Sequence, residues 1–164
     1  MGLFVYLFQT RQVKIKKLMN AKKMCDMLCG VPSDHRNLDL ALLLIRLSLG
    51  ATFIFHGWMK VSDIDSTITM FSTMGIGTML TYIAAYTEFL GGIAILVGIV
   101  TRFASIGLSI LMIVAISIIH FKNGFNMMNQ GYEYQLLILV TTIAIGLMGP
   151  GKYSLHDSWC KKQY

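Results

Sequence analysis

Glu88 is the one charged side chain in the run 78–100. That run is long enough to cross a bilayer, and a carboxylate near its middle is costly. Intramembrane charges are kept where they pair with one another or face a cavity. Arg46 sits in the apolar run 40–59. Counted at about 1.5 Å per residue, its depth and that of Glu88 differ by well under ~10 Å in a core of ~30 Å. A buried Arg46–Glu88 pair is therefore predicted. Two roles fit it. The pair can act as a strut that fixes helix register, or Arg46 can hold Glu88 ionised so that the carboxylate titrates or binds a polar headgroup.

A second group gathers toward the opposite face from the termini. His56 lies about one turn from the end of its run, His120 closes the third run, and Glu133 opens the fourth. A bundle would bring them near Lys60, Lys122 and Asn123. Imidazole and carboxylate can hydrogen-bond quinone carbonyls and pass protons near neutral pH. Two histidines can also ligate haem or another metal. The plain alternative is that helix ends near water keep polar groups at little cost, and a histidine at a helix C-terminus suits the dipole. On the third run His120 shares a stripe with Ser109, Ile113, Ile116 and Ser117, a mildly polar inward face.

Other signals are weak. Cys25-Asp-Met-Leu-Cys29 has three intervening residues rather than the two of a redox or zinc pair. Cys160 stands alone. The pair Met127-Met128 without cysteine is a poor soft-metal site. His35 and His156 fall in the tails. CxxCH, HExxH, nucleophile triads and Gly-rich phosphate loops are absent. No metal site is expected.

The elements that must position these groups follow from composition. The chain has 164 residues, 55% hydrophobic and 13% charged, against about 25% charged in soluble domains. The deficit falls in four runs, about 40–59, 78–100, 103–121 and 132–148. The first three reach spanning length and the fourth is shorter. Runs of this length without strict alternation favour helices, so an all-α bundle of four transmembrane helices is predicted. Excluding Arg46, eleven Lys and Arg flank one face and two, Lys60 and Lys122, the other. The positive-inside rule puts both termini in the cytoplasm. The net charge of +6 is then a topology signal, and nucleic-acid binding is not expected. The three cysteines fall on the reducing side, where structural disulfides are rare.

Residues 1–37 read as a basic cytoplasmic tail, 38–151 as the membrane domain and 152–164 as a second basic tail. The charges after residue 8 follow a short apolar stretch, the reverse of a secretory signal. Met19, Met24 and Met27 could each start the chain, so an over-extended gene start is one expectation for the tail. Thr101-Arg102 forces an antiparallel hairpin between the second and third runs. The longer loops 60–77 and 122–131 lie outside. Gly149-Pro150-Gly151 stops the fourth helix. Glu88 shares a helical stripe with Thr81, Ala84, Ala85, Gly91, Gly92, Ile95 and Ile99, beside an Ala94-x-x-x-Gly98 pair, so it faces a helix interface rather than lipid.

These motifs resemble a known family. Leu43-Leu-Ile-Arg46-Leu47 followed by His56-Gly-Trp-Met-Lys60-Val61 is similar to the first helix of the DoxX family. Glu88-Phe-Leu-Gly91-Gly92 through Gly98-Ile-Val-Thr101-Arg102 resembles its second helix and turn. His120-Phe-Lys-Asn123-Gly124-Phe125, Gly131-Tyr132-Glu133-Tyr134 and Gly149-Pro150-Gly151-Lys-Tyr-Ser154-Leu155 match later motifs. The resemblance covers about residues 38–157. It implies a four-helix inner-membrane protein of bacteria, related to the DoxD subunit of archaeal thiosulfate:quinone oxidoreductase. The motif residues it carries over are Arg46, His56, Glu88, His120, Asn123, Gly124 and Glu133. Two departures are the long leader and His156, which interrupts the usual Ser-Leu-Asp tail before Asp157.

The leading expectation is a membrane subunit of a redox system with a quinone-like or small polar ligand in the outer half of the bundle. Glu88, His56 and His120 would do the chemistry. Arg46, Lys60, Asn123 and Glu133 would face the ligand. Quinone is the cofactor expected, ahead of haem. The partners expected are the bilayer and either a redox enzyme or further copies of the chain. A non-catalytic scaffold or assembly factor is the alternative, and a small transporter the third reading.

Overall fold

The computed structural model describes residues 35–156. The chain divides into Met1–Leu38 and Asp39–Tyr164, and the helices below belong to the second unit, apart from residues 35–38. Residues 1–34, with Cys25 and Cys29, and residues 157–164, with Cys160, lie outside the described residues.

Among the described residues all regular structure is helical. The elements are α1 (His35–Ser62), α2 (Ile64–Thr73), α3 (Thr78–Val97), α4 (Thr101–Ala115) and α5 (Glu133–Met148). α4 continues through a π turn at Ile116–His120 and a 3-10 turn at Phe121–Asn123. Asn37–Ser62, Thr78–Val97 and Thr101–Asn123 are long and apolar enough to cross a membrane, and Glu133–Met148 is apolar but shorter. The outward faces carry Leu44, Phe103, Ile110, Leu137 and Leu147, all exposed. A bundle with its aliphatic side chains outside and Thr81, Ser105 and Thr142 buried inside is built for lipid rather than water. This is a membrane protein.

Close contact between α1 and α3 sets the register. A Cβ on Gly57 would lie 2.4 Å from the Phe89 backbone nitrogen, and one on Gly92 would lie 2.7 Å from that of Ile54. Gly50 meets Leu96 in the same way, at 2.6 Å. Only glycine lets the two backbones approach so closely. The two helices therefore run antiparallel, with position 50 beside 96, 54 beside 92 and 57 beside 89. The buried positions of α3 are Thr81, Ala85, Glu88, Gly92 and Ile95, so the stripe containing Glu88 does face inward. Leu49, Phe53, Ile95, Leu108, Met112, Ile138 and Ile145 form the apolar core between helices.

Three expectations need correction. The outer loop 60–77 contains a helix, α2, capped by Asp63, whose carboxylate accepts from the Ser66 backbone at 3.3 Å. Its buried residues are Thr67 and Phe71. The hairpin turn is 98–100 rather than Thr101-Arg102, which already belong to α4. Gly98 takes φ 75° there, and its N–H reaches back to Ala94 O at 3.0 Å. The left-handed cap suits glycine. The third correction concerns α4. Its buried face is Thr101, Ser105, Leu108, Ser109 and Met112, while Ile113 and Ser117 are exposed.

Candidate functional site

The predicted Arg46–Glu88 pair does not form. Arg46 is 1% exposed, and its guanidinium is held by carbonyls. Nε donates to Ile95 O at 2.9 Å and Nη2 to Leu96 O at 2.9 Å. Nη1 donates to Pro150 O at 2.6 Å and Tyr153 O at 2.9 Å. The last turn of α3 has carbonyls without intrahelical partners, and the planar fork of arginine matches several at once. Arg46 thus ties α1 to the end of α3 and to the chain that follows α5.

Glu88 pairs instead with Lys60, whose Nζ donates to Glu88 Oε2 in a direct ion pair. The glycine register explains the exchange of partners. It sets Gly57 against Phe89, and Lys60 follows Gly57 by one helical turn. Arg46 is 14 residues from Lys60 on the same helix, about 21 Å along the axis. Lys60 is reachable because α1 runs on to Ser62, past the expected end of the span. The lysine side chain is 23% exposed and that of Glu88 6%. The lysine thus brings its charge from the wetter end of α1 to a carboxylate that is almost dry.

This ion pair forms one wall of a cavity of about 610 Å³. His56, Lys60, Glu88 and His120 all line it, joined by Gln135, Tyr134, Thr52 and Thr87. The rest of the wall is apolar and includes Phe53, Phe71, Leu111 and Ile138. Phe71 comes from α2, so the unexpected helix helps to close the chamber. His120 reaches the cavity through the π turn. After Leu108 and Met112 a regular helix would turn Ile119 inward. The wider turn lets His120 share that face, and both residues line the cavity. Single π turns of this kind often mark functional sites.

His120 is held at both nitrogens. Nδ1 lies 2.7 Å from Gln130 O and Nε2 lies 3.1 Å from Gln135 Nε2. Gln130 adopts φ 60°, and its carbonyl also accepts from Asn123 Nδ2 at 3.3 Å. Gln135 is the cavity residue that sequence reasoning missed. Its signal was available, since it follows Glu133 by two positions at the start of the fourth run, but a neutral amide there reads as an ordinary boundary residue.

Three predicted residues stand outside the cavity lining. Arg46 is one. Asn123 and Glu133 are the others, and both brace the 124–132 loop. Glu133 Oε2 accepts from Met127 N at 3.1 Å, and its own backbone N–H bonds Phe125 O at 3.0 Å. Among the described residues no group of three or more His, Cys, Asp or Glu is arranged to hold a metal. The arrangement instead offers a mostly apolar cavity with a carboxylate–ammonium pair, an oriented imidazole and a second, exposed imidazole, His56, that makes no hydrogen bond among the described residues.

Comparison with known proteins agrees with this architecture. A family model described as DoxX matches residues 41–121. The protein named "Putative oxidoreductase CatD" in Bacillus subtilis is 30% identical over 115 residues, which is 70% of this chain and 84% of that protein. An "Uncharacterized protein" of Haemophilus influenzae is 35% identical over 83 residues, 51% of this chain and 54% of its own length. "Inner membrane protein YqjF" of Escherichia coli is 27% identical over 126 residues, covering 76% of this chain and 95% of that protein. No solved structure gives a significant match. The matched segment contains Arg46, His56, Lys60, Glu88 and His120, and the chain belongs to the DoxX family.

Proposed function

We propose that this chain is a four-span membrane subunit of a redox system, and that its cavity takes a quinone-like ring. One observation carries the reading. His56, Lys60, Glu88 and His120 converge on a single, mostly apolar chamber of about 610 Å³. Sites for small organic ligands are of this size, mostly apolar with a few convergent polar groups. The "oxidoreductase" in the name of the Bacillus relative points the same way.

Bound, a quinone supplies two-electron, two-proton chemistry. The protein's part is to orient the ring and handle protons. Lys60 has ammonium protons beyond the one given to Glu88 and donates to a ring oxygen. Glu88, next to that ammonium, is the proton acceptor. His120 is fixed in one orientation by its two partners, and His56 completes the polar set. Phe53, Phe71 and Ile138 exclude water. Arg46 holds the opposite end of the bundle together, while Asn123 and Glu133 hold the loop that orients His120.

The topology proposed has four spans, with α5 as the fourth, and both termini in the cytoplasm of a bacterial inner membrane. Lys60 and Lys122 are then the two cations of the outer side.

The test is direct. Protein purified in mild detergent is extracted with organic solvent and the extract is analysed by chromatography for quinone. Wild type is expected to carry quinone, and Glu88→Gln to keep fold and insertion but lose quinone-linked activity. A wild-type sample without quinone that co-purifies stoichiometrically with a soluble enzyme would support the scaffold reading instead. Wild-type turnover in Glu88→Gln would remove Glu88 from the chemistry.

A further inference from the structure

The cavity lining does not keep to the inward faces of all its helices. A helix turns by about 100° per residue. On α1 and α5 the lining positions stay within about 100° of the buried Phe53 and Ile138. On α3 and α4 they go further round. Ile83 lies about 140° from Glu88 on α3, and Ile110 and Val114 each lie about 160° from Met112 on α4. Glu88 and Met112 are buried, whereas Ile83, Ile110 and Val114 are 51%, 57% and 45% exposed, yet all five line the same cavity. The chamber therefore runs out between α3 and α4 to the outer surface of the bundle.

The depth of this mouth is a second observation. α3 and α4 touch at its inner end, where a Cβ on Gly107 would lie 3.4 Å from Thr87 Cγ2 and one on Gly91 3.0 Å from Leu108 Cγ. Toward the hairpin turn the lining stops at Glu88 on α3 and at Gly107 on α4. Thr87 and Gly107 are thus the floor of a cleft that is open on the side away from the turn. The apolar segment that carries Ile110 and Val114 is Thr101–Asn123. At about 1.5 Å per residue they lie about 14 and 20 Å along it, well inside a hydrocarbon layer of about 30 Å. The mouth opens onto lipid chains, not onto water. Its rim is Leu80, Ile83, Ile110, Val114 and Ile118, all aliphatic. The charged groups of the chamber come from elsewhere, Glu88 from the inward face of α3 and Lys60 from α1.

We infer that the ligand is a membrane-resident lipid with a ring head and a long hydrocarbon tail, which enters sideways from the bilayer between α3 and α4 and keeps its tail in that cleft. The inference rests on the quinone-type reading above and adds to it the tail, the route and the residues that frame it. The chamber offers a carboxylate–ammonium pair and two imidazoles to a polar ring. The mouth offers aliphatic side chains at hydrocarbon depth. One continuous void with those two kinds of wall matches an amphiphile already dissolved in the bilayer. The tail adds little affinity, because lipid chains are as apolar as the side chains of the rim. Its part is to hold the head at the depth of the mouth.

The test uses the full chain in lipid nanodiscs. The probe is a long-chain benzoquinone with a photoreactive diazirine on the tail, close to the ring. After irradiation, labelled residues are located by mass spectrometry, with and without an excess of the same quinone lacking the diazirine. Lipid contact labels every outward face, so the site is reported by the label that the competitor removes. In wild type that label is expected on 80–87 of α3 and 107–118 of α4. Ile110→Trp fills the mouth and should reduce it about tenfold. Ile106→Trp, one turn nearer the hairpin on the same helix and outside the cavity lining, should leave it unchanged, and far-UV circular dichroism checks that both variants fold. Competed label on α1 or α5 with none on the rim, or undiminished label in Ile110→Trp, overturns the inference and leaves the quinone-type site standing. So does quantitative disulfide-linked dimer formation by Ile110→Cys beyond that of wild type, since a second copy then covers the cleft. No competed label anywhere overturns both.

Discussion

Lys60→Met is the sharpest perturbation of the site, because the two ends of the ion pair differ in access to water. Removing one partner of a fully buried pair costs about 3–5 kcal/mol, since the survivor is left as an uncompensated charge. Exposed pairs contribute about 0–1 kcal/mol. Here the lysine side chain is 23% exposed and the glutamate 6%, which places the pair between those limits and nearer the buried one. Loss of Lys60 strands Glu88 midway along α3, about 15 Å from its first residue, where no other cation among the described residues is in contact with it. The expected cost of Lys60→Met is about 2–3 kcal/mol.

Glu88→Gln should cost less, about 1 kcal/mol, because the freed ammonium can turn toward the end of α1 and regain water. The double variant Lys60→Met with Glu88→Gln removes both charges and should recover most of the lysine loss. Equilibrium unfolding in mixed detergent and SDS micelles, followed by far-UV circular dichroism, measures all three. The decisive quantity is the coupling energy from the cycle. If Lys60→Met is as stable as wild type, or the double variant is no better than Lys60→Met, then Glu88 does not depend on Lys60 and the pairing argued above fails.

Three further outcomes are expected. Arg46→Lys replaces a fork that serves four carbonyls with a single ammonium, and should destabilise the bundle by about 2 kcal/mol or more. Quinone content per folded molecule should be unchanged, which extraction of the folded fraction checks. Gly57→Ala drives a methyl into the Phe89 backbone and should cost about 1–3 kcal/mol through overpacking. A disulfide cross-link between cysteines placed at 60 and 88 should form less readily in that background than with Gly57 intact. Met128→Cys, at an 85% exposed site between α4 and α5, should react with an impermeant maleimide in intact cells; protection there would reverse the proposed orientation.

Much of this was legible in the chain, and the reason is the solvent. Hydrocarbon forces backbone hydrogen bonds inside each segment, so length and polarity alone located three long helices and a shorter fourth. The small-residue stripe also placed Glu88 inward without knowledge of its neighbour. Depth counting then failed for Arg46, because it assumed straight, equally placed spans. The real relation between α1 and α3 is set by backbone contact at Gly57 and Gly92. Those glycines were visible, but a single sequence does not say which glycine of one helix meets which residue of another. His120 was chosen on a stripe of which Ile113 and Ser117 face outward, and a π turn at Ile116–His120 breaks the period on which that stripe was drawn. Gln135 was missed for a different reason. Sequence reading looked for groups that are costly in lipid, and a neutral amide at a boundary is cheap. Its importance comes from its place beside His120, whose Nε2 lies 3.1 Å from the Gln135 amide nitrogen. Charge marks where a membrane site lies, and neutral polar groups such as this amide set how its charged and titratable side chains are held.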